Sequence, residues 1–322
     1  MKILVVFTGG TISCTQDNGI LSTDESNSYL LIDMYNRLDS SVKFEMLSPY
    51  TILSENLCGD NLMMLYNAIN NYDISQFDGI IVTHGTDTLQ YTSAFLGYAF
   101  SDCNLPIVVV SANYPLADNR SNGFDNFCAA INFIRSGKGW GVFVAYKNGS
   151  NAVQIHRATR LLAHNAYSDN LHSVFDVPFG YIERGEFVAD KNYTESKNEF
   201  IFDTISISSS NDIITVKSGV DIIYPQLNSN IKAVLMEGFH SGTLATNLKS
   251  LQNFCTQAKQ LEIPIFLTGI CSGFEYESKQ LFDELSICSL PSAAPIAMEL
   301  KLRLLNKDNI RNVFLPCGGD FA

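Results

Sequence analysis

No stretch of this 322-residue sequence approaches the ~20 consecutive apolar residues that a bilayer-spanning helix needs. The opening apolar run, Ile3 to Phe7, is too short for the core of a secretion signal, and no small-residue cleavage site follows it. A cytoplasmic protein with no membrane partner is the resulting expectation. Positive charge is scarce: 21 Lys and Arg stand against 33 Asp and Glu, a formal net charge of −12. Such a surface repels phosphate backbones, and no run of Lys and Arg interleaved with aromatics offsets it, so nucleic acid is not expected as a partner. None of the 8 cysteines forms a Cys-x-x-Cys pair or a Cys/His set at zinc spacing. They read as free thiols in a reducing compartment, with no metal site. The Gly-x-Gly-x-x-Gly fingerprint, the P-loop and the Gly-x-Ser-x-Gly elbow are also missing.

What is present is ordinary globular composition, 46% hydrophobic and 17% charged. The first half alternates short β-branched runs with longer mixed segments. Ile3 to Phe7, Gly79 to Thr83, Ile107 to Val110 and Gly141 to Ala145 read as strands buried on both faces. Asp60 to Asn70, Ser93 to Phe100 and Gly123 to Ile134 read as helices, the first with Leu62, Leu65, Ala68 and Ile69 at helical spacing. Alternation of this kind implies βαβ units and a mostly parallel sheet. A polar, turn-rich stretch at 185–211 reads as a linker between an N-terminal α/β domain, 1–184, and a smaller C-terminal α/β domain, 212–322. In the latter, Ile213 to Val216, Ala233 to Met236 and Ile265 to Leu267 read as strands, and Leu248 to Gln260 and Ala293 to Leu305 as helices.

Three first-half strands run into polar tips: Thr8-Gly9-Gly10-Thr11-Ile12-Ser13, Thr83-His84-Gly85-Thr86-Asp87-Thr88 and Ser111-Ala112-Asn113. Open α/β sheets bind ligands at the carboxyl ends of their strands, so three such tips would converge on one pocket. Residues 13–19 read as a loop rather than a helix, which removes the helix N-terminus that a dinucleotide site uses. What remains is a hydroxyl, Thr11, held beside exposed backbone N–H groups, as a nucleophile near an oxyanion hole would be. The bland alternative is a turn cap. In the second tip Thr86 and Asp87 set a hydroxyl beside a carboxylate able to accept a proton or hold an ammonium group. His84 reads as a buried structural histidine.

Thr8 to Ile12 together with His84 to Thr88, about 75 residues apart, resemble the paired signatures of bacterial-type L-asparaginases. Pro115-Leu116-Ala117, Arg120 to Gly123, Ser173 to Ile182 and His240-Ser241-Gly242-Thr243 extend the likeness across most of the chain, closest to the cytosolic type I branch. The resemblance implies two α/β domains and a homo-oligomer, a dimer or tetramer, whose sites are completed by a neighbouring subunit. It implies hydrolysis of a small amino acid amide, asparagine, to aspartate and ammonia, without cofactor or metal. It casts Thr11 as the nucleophile that forms an acyl-enzyme, and Thr86 and Asp87 as the second catalytic group, with Asp87 also holding the α-ammonium. Ser54 and Glu55 match the segment binding the substrate's α-carboxylate and α-amino group, Gly85 keeps the backbone accessible, and Ala112 matches a backbone contact to the amide.

The chain departs from the family pattern in two places. The family has a lysine beside the Thr-Asp pair, but no lysine occurs between Lys147 and Lys191. The position falls on Arg160, Leu162 or Ala163. Arg160 could pair with Asp87 but could not give up a proton. The family's loop tyrosine is replaced at Ile20. The departures favour a second hypothesis, a non-catalytic protein binding a small amino acid or acting as a scaffold. A third, a subunit of a tRNA-dependent amidotransferase, is disfavoured here by the charge and by a first strand beginning at Ile3.

Overall fold

The computed structural model describes all residues except 11, 13, 18, 19, 24, 150, 208–211 and 271–274, and only the backbone of 14–17, 20–23 and 25–28. In chain order the N-terminal part contains β1 (Lys2–Phe7), β2 (Cys14–Asp17), β3 (Ile20–Thr23), α1 (Glu25–Asn36), β4 (Lys43–Leu47), α2 (Gly59–Asn70), β5 (Gly79–Thr83), α3 (Leu89–Ala99), β6 (Pro106–Val110), α4 (Gly123–Ser136), β7 (Gly141–Lys147), β8 (Val153–Arg157), β9 (Gly180–Glu183) and β10 (Glu186–Ala189). β11 (Ile213–Lys217), β12 (Ala233–Glu237), α5 (Lys249–Gln260), β13 (Ile265–Thr268), β14 (Ile287–Ser289) and α6 (Pro295–Leu304) follow.

Eight strands make one sheet in the order β10-β9-β8-β7-β6-β5-β1-β4. From β4 to β7 all neighbours are parallel; β8, β9 and β10 continue the sheet antiparallel. The unbroken apolar runs follow from burial on both faces. Leu4, Val6, Ile80, Val82, Val109 and Val144 pack on one side with Leu65 of α2 and Phe95 of α3, while Ile3, Val5, Ile81, Val108 and Phe143 pack on the other with Phe127 and Ile131 of α4. Successive side chains of a strand point to opposite faces, so a half-polar strand could not serve here. Each such Val, Ile or Phe contributes roughly 1.5–3 kcal/mol by leaving water. Gly137, in the left-handed region at φ 61°, stops α4 by donating its N–H to Ile134 O.

β11-β12-β13-β14 form a second, wholly parallel sheet. Its residues Leu235 and Phe266, with Ala297, Met298 and Leu300 of α6, join the same apolar cluster as α3. Three differences from the sequence reading stand out. Where the sequence reading has a loop over 13–19, β2 (Cys14–Asp17) pairs antiparallel with β3 (Ile20–Thr23). β10 lies within the stretch read as a linker and pairs with β9. β4, β8, β9 and β14 have no counterpart in that reading, because their residues are only partly buried or too few to show a period. Among the described residues no helix is long and apolar enough to cross a membrane.

A buried ion pair docks the chain's last segment. Lys301 Nζ lies 2.6 Å from Asp320 Oδ2, and both side chains are fully buried. The same ammonium donates to Leu315 O at 2.6 Å, and the carboxylate accepts from Tyr98 OH at 3.2 Å and from Cys317 N at 3.1 Å. Burial raises the Asp320 carboxyl above its ordinary range, with the Lys301 charge opposing. Removing one partner leaves the other charge stranded, which costs far more than the pair gains. Lys301→Met is expected to lose about 3–5 kcal/mol in urea unfolding; a midpoint equal to the wild type would show that the pair does not secure this segment.

Candidate active site

The parallel order of β1, β5, β6 and β7 brings their carboxyl ends to one edge of the large sheet. There the first two tips meet backbone to backbone. Gly10 has φ 78°, and a Cβ built on it would lie 2.2 Å from Gly85 N. A Cβ on Gly85 would lie 2.4 Å from Ser54 Oγ. Glycine is therefore required on both sides of the contact. The β1 tip is further held by Gly10 N donating to Ile52 O at 3.0 Å and Thr8 Oγ1 donating to Thr83 O at 2.7 Å. Thr11 itself lies outside the described residues; Ile12, just after it, is buried in the core.

The second tip is fixed from below by His84. Its Nδ1 is 2.8 Å from Gly85 O and its Nε2 2.7 Å from Thr92 Oγ1. A carbonyl only accepts, so Nδ1 carries the proton and Nε2 accepts from the threonine. Full burial pushes the imidazole pKa down to about 4, so His84 is a neutral structural brace. Ser54 Oγ donates to Asp87 Oδ2 at 3.3 Å, and Thr88 Oγ1 donates to Ser54 O at 2.8 Å, so the 54 segment and the second tip form one unit. In the third tip, Asn113 N donates to Asn122 Oδ1 and Asn122 N to Asn113 Oδ1, each at 3.0 Å.

The second and third tips open into a cleft of about 390 Å³. Thr86, Asp87, Gln90, Asn113 and Tyr146 line one part, and the segment from Ala163 to Asp169 lines the rest. Asp87 is exposed to it and Thr86 half-buried. Of the residues read from sequence, Thr86 and Asp87 line the cleft, and Gly85 and Ser54 adjoin them without lining it. Glu55 is exposed and Ala112 fully buried; neither lines the cleft. A hollow of similar size, about 380 Å³, lies in the second-sheet region among Lys232, Cys255, Lys259 and Arg311, and contains no tip residue.

Arg160, read as the stand-in for the lysine, is engaged elsewhere. Its guanidinium donates to Gly319 O at 2.7 Å, to Thr194 O at 2.9 Å and to Phe321 O, and lies 4.6 Å from the centre of the Tyr193 ring. It clamps the C-terminal segment. Arg157 pairs with Glu195, and Lys147 with Asp125 at 2.6 Å. The basic side chain that shares the cleft with Thr86 and Asp87 is His164. Sequence reading passes over it, although it directly follows Ala163, one of the positions onto which the lysine falls. Gln90, Tyr146 and Tyr167 are missed as well; the last, 109% exposed with φ 64°, stands at the rim.

The glycine contact and the buried imidazole can each be tested. Gly10→Ala is expected to destabilise the fold by more than about 1 kcal/mol, because it combines a forbidden φ with a backbone clash; an unchanged urea midpoint would mean that the tips do not touch. The imidazole is tested by pH. The folded pKa of His84 is about 4, and burial pushes that of His156 to about 3, both below the unfolded value near 6.5. As pH falls below about 6.5 the unfolded chain binds protons first, so stability is whole above that pH and is lost on acidification. The thermal midpoint is expected to drop from pH 7 to pH 5, and less steeply in His84→Gln; a flat profile would contradict the neutral brace.

Comparisons with known proteins agree with the fold. Residues 2–194 match the family model described as Asparaginase, N-terminal. A glutamyl-tRNA(Gln) amidotransferase subunit of Methanosarcina acetivorans is 27% identical over 281 residues, covering 84% of this chain; the chain spans 64% of that protein's length. The L-asparaginase of Thermococcus kodakarensis is 29% identical over 161 residues, 48% of each chain. Among solved structures, the thermostable L-asparaginase from Thermococcus kodakarensis superposes with a TM-score of 0.79 at 21% identity, covering 100% of this chain and 99% of its own. L-asparaginase I from Vibrio cholerae gives 0.77 at 18% identity, with coverages of 100% and 99%. The family model covers more than half of the sequence, and the second and third strand tips that line the cleft lie within it: the chain belongs to the asparaginase family.

Proposed function

We propose that the chain is an amidohydrolase that cleaves the side-chain amide of L-asparagine, giving L-aspartate and ammonia through a threonine nucleophile without a cofactor. The observation that carries this reading is the cleft in which the Thr86 hydroxyl and the Asp87 carboxylate stand together, with the Gly10 end of the first tip pressed against Gly85. Thr11, next after Gly10, is the nucleophile in this scheme. The tip N–H groups stabilise the oxyanion that develops on the amide oxygen.

The Asp87 carboxylate, exposed to the cleft and joined to Ser54 Oγ at 3.3 Å, is placed to take the substrate's α-ammonium. Ser54 holds that carboxylate in position. Glu55, exposed in this chain alone, joins the site when a second copy packs nearby, which makes a homo-oligomer part of the proposal. A second reading, favoured by the amidotransferase relative that covers 84% of this chain, is release of ammonia from glutamine for transfer within a complex.

The purified protein is expected to release ammonia from L-asparagine. Thr86→Val and Asp87→Asn are each expected to lower kcat/KM by ~10²–10⁴-fold while the fold is retained. Preference for L-glutamine would move the account to the second reading. Calorimetric binding of L-aspartate with no ammonia from either amide would replace both with a binding protein.

A further inference from the structure

The function proposed above needs a group that can take and return a proton, and the three cations near the cleft in sequence are all engaged elsewhere. We infer that His164 is that group, its Nε2 acting as the general base and acid of the cleft. The inference rests on the amide-cleaving reading and adds to it a residue and a chemical role.

Three observations support it. First, His164 lines the same cleft as Thr86 and Asp87. Second, its tautomer is set by the backbone. Nδ1 lies 3.2 Å from Asn170 O, a carbonyl that can only accept, so the neutral ring carries its proton on Nδ1 and leaves the lone pair on Nε2. Third, Nε2 is buried and has no hydrogen-bond partner among the described residues. Leaving such an acceptor unmet is unfavourable and calls for an explanation, of which a catalytic role is one. Gln90, across the cleft, is in the same condition at Oε1 while its Nε2 donates to Asp87 O at 3.2 Å. Both residues line the cleft, and their unmet acceptors suit a ligand that brings N–H or O–H donors.

The ring is held edge-on by Tyr146 of β7, with centroids 5.6 Å apart, and burial pushes that phenol up to about 12, so it stays neutral. The charged and titratable groups facing His164 are Asp87 from the second tip, Asp169 from its own segment and His172. Burial lowers its pKa, and the hydrogen bond to Asn170 O and the two carboxylates oppose that shift.

Protons balance through the cycle. In acylation the threonine oxygen bonds to the amide carbon as its proton passes to Nε2. The C–N bond then breaks and the nitrogen leaves as ammonia, carrying that proton. In deacylation a water oxygen adds to the acyl carbon and gives a proton to Nε2. The ester C–O bond then breaks, and the proton returns to the threonine oxygen.

The test compares wild type, His164→Gln, His164→Gly and a control, His172→Asn, in ammonia release from L-asparagine across pH 5 to 9. His164→Gln is expected to lower kcat by ~10²-fold or more with L-aspartate binding unchanged by calorimetry. The acid limb of the wild-type pH profile is expected to vanish in that variant, and added imidazole to restore part of the rate in His164→Gly. His172→Asn is expected to behave as wild type. Wild-type kcat and an intact acid limb in His164→Gln would overturn the inference and leave the amidohydrolase standing. Loss of aspartate binding without imidazole rescue would overturn it in favour of a purely structural ring. An inactive wild type would remove both readings together.

Discussion

The contact on which the site depends is made by backbone alone. Gly10 and Gly85, at the ends of two neighbouring parallel strands, approach so closely that neither can carry a Cβ, and Ser54 closes the third side. Parallel strands always bring their carboxyl ends to one edge, but side chains normally keep the loops beyond them apart. Taking the side chains away lets two loops share one wall. Thr86 and Asp87, which follow Gly85, then stand in the cleft beyond that wall. The hydrogen bonds from Gly10 to Ile52 and from His84 to the Gly85 carbonyl hold that arrangement.

Around this contact the charges are sorted. Arg160, Arg157 and Lys147 all lie near the cleft in sequence, yet each is tied to a partner away from it: the C-terminal carbonyls, Glu195 and Asp125. Arg160 and the Lys301–Asp320 pair fix the same terminal segment from two sides, so the cationic residue that the family pattern suggests for the site serves the fold instead. The cleft is left with Asp87, Asp169 and His164, whose pKa burial lowers. Two carboxylates at one opening give it a negative potential of the sign that favours a cationic group.

Much of this is legible in the sequence, for definite reasons. β1, β5, β6 and β7 are buried on both faces and therefore read as unbroken apolar runs, and their polar ends, Gly9-Gly10, Thr86-Asp87 and Asn113, stand out against them. The outer strands β8 to β10 have one half-exposed face and no such run, so they stay hidden. His164 is hidden for another reason. Its segment, 163–169, has no regular structure, and the bridge between Leu161 and Ser173, with the bond from Leu162 N to His172 O, closes the excursion. No local pattern announces a residue whose role depends on a tertiary turn. Arg160 shows the converse: its spacing suggests the site, while packing assigns it to the C-terminus.

Everything said of the chemistry requires one small amino acid to bind between the second strand tip and the 163–169 segment. A crystal structure of the protein soaked in L-aspartate tests this most directly. The expected result is the α-ammonium on Asp87 and the side-chain carboxylate within reach of Thr86 and His164. Aspartate bound instead in the second-sheet hollow near Lys232, or a tip cleft holding only solvent at saturating ligand, would contradict it.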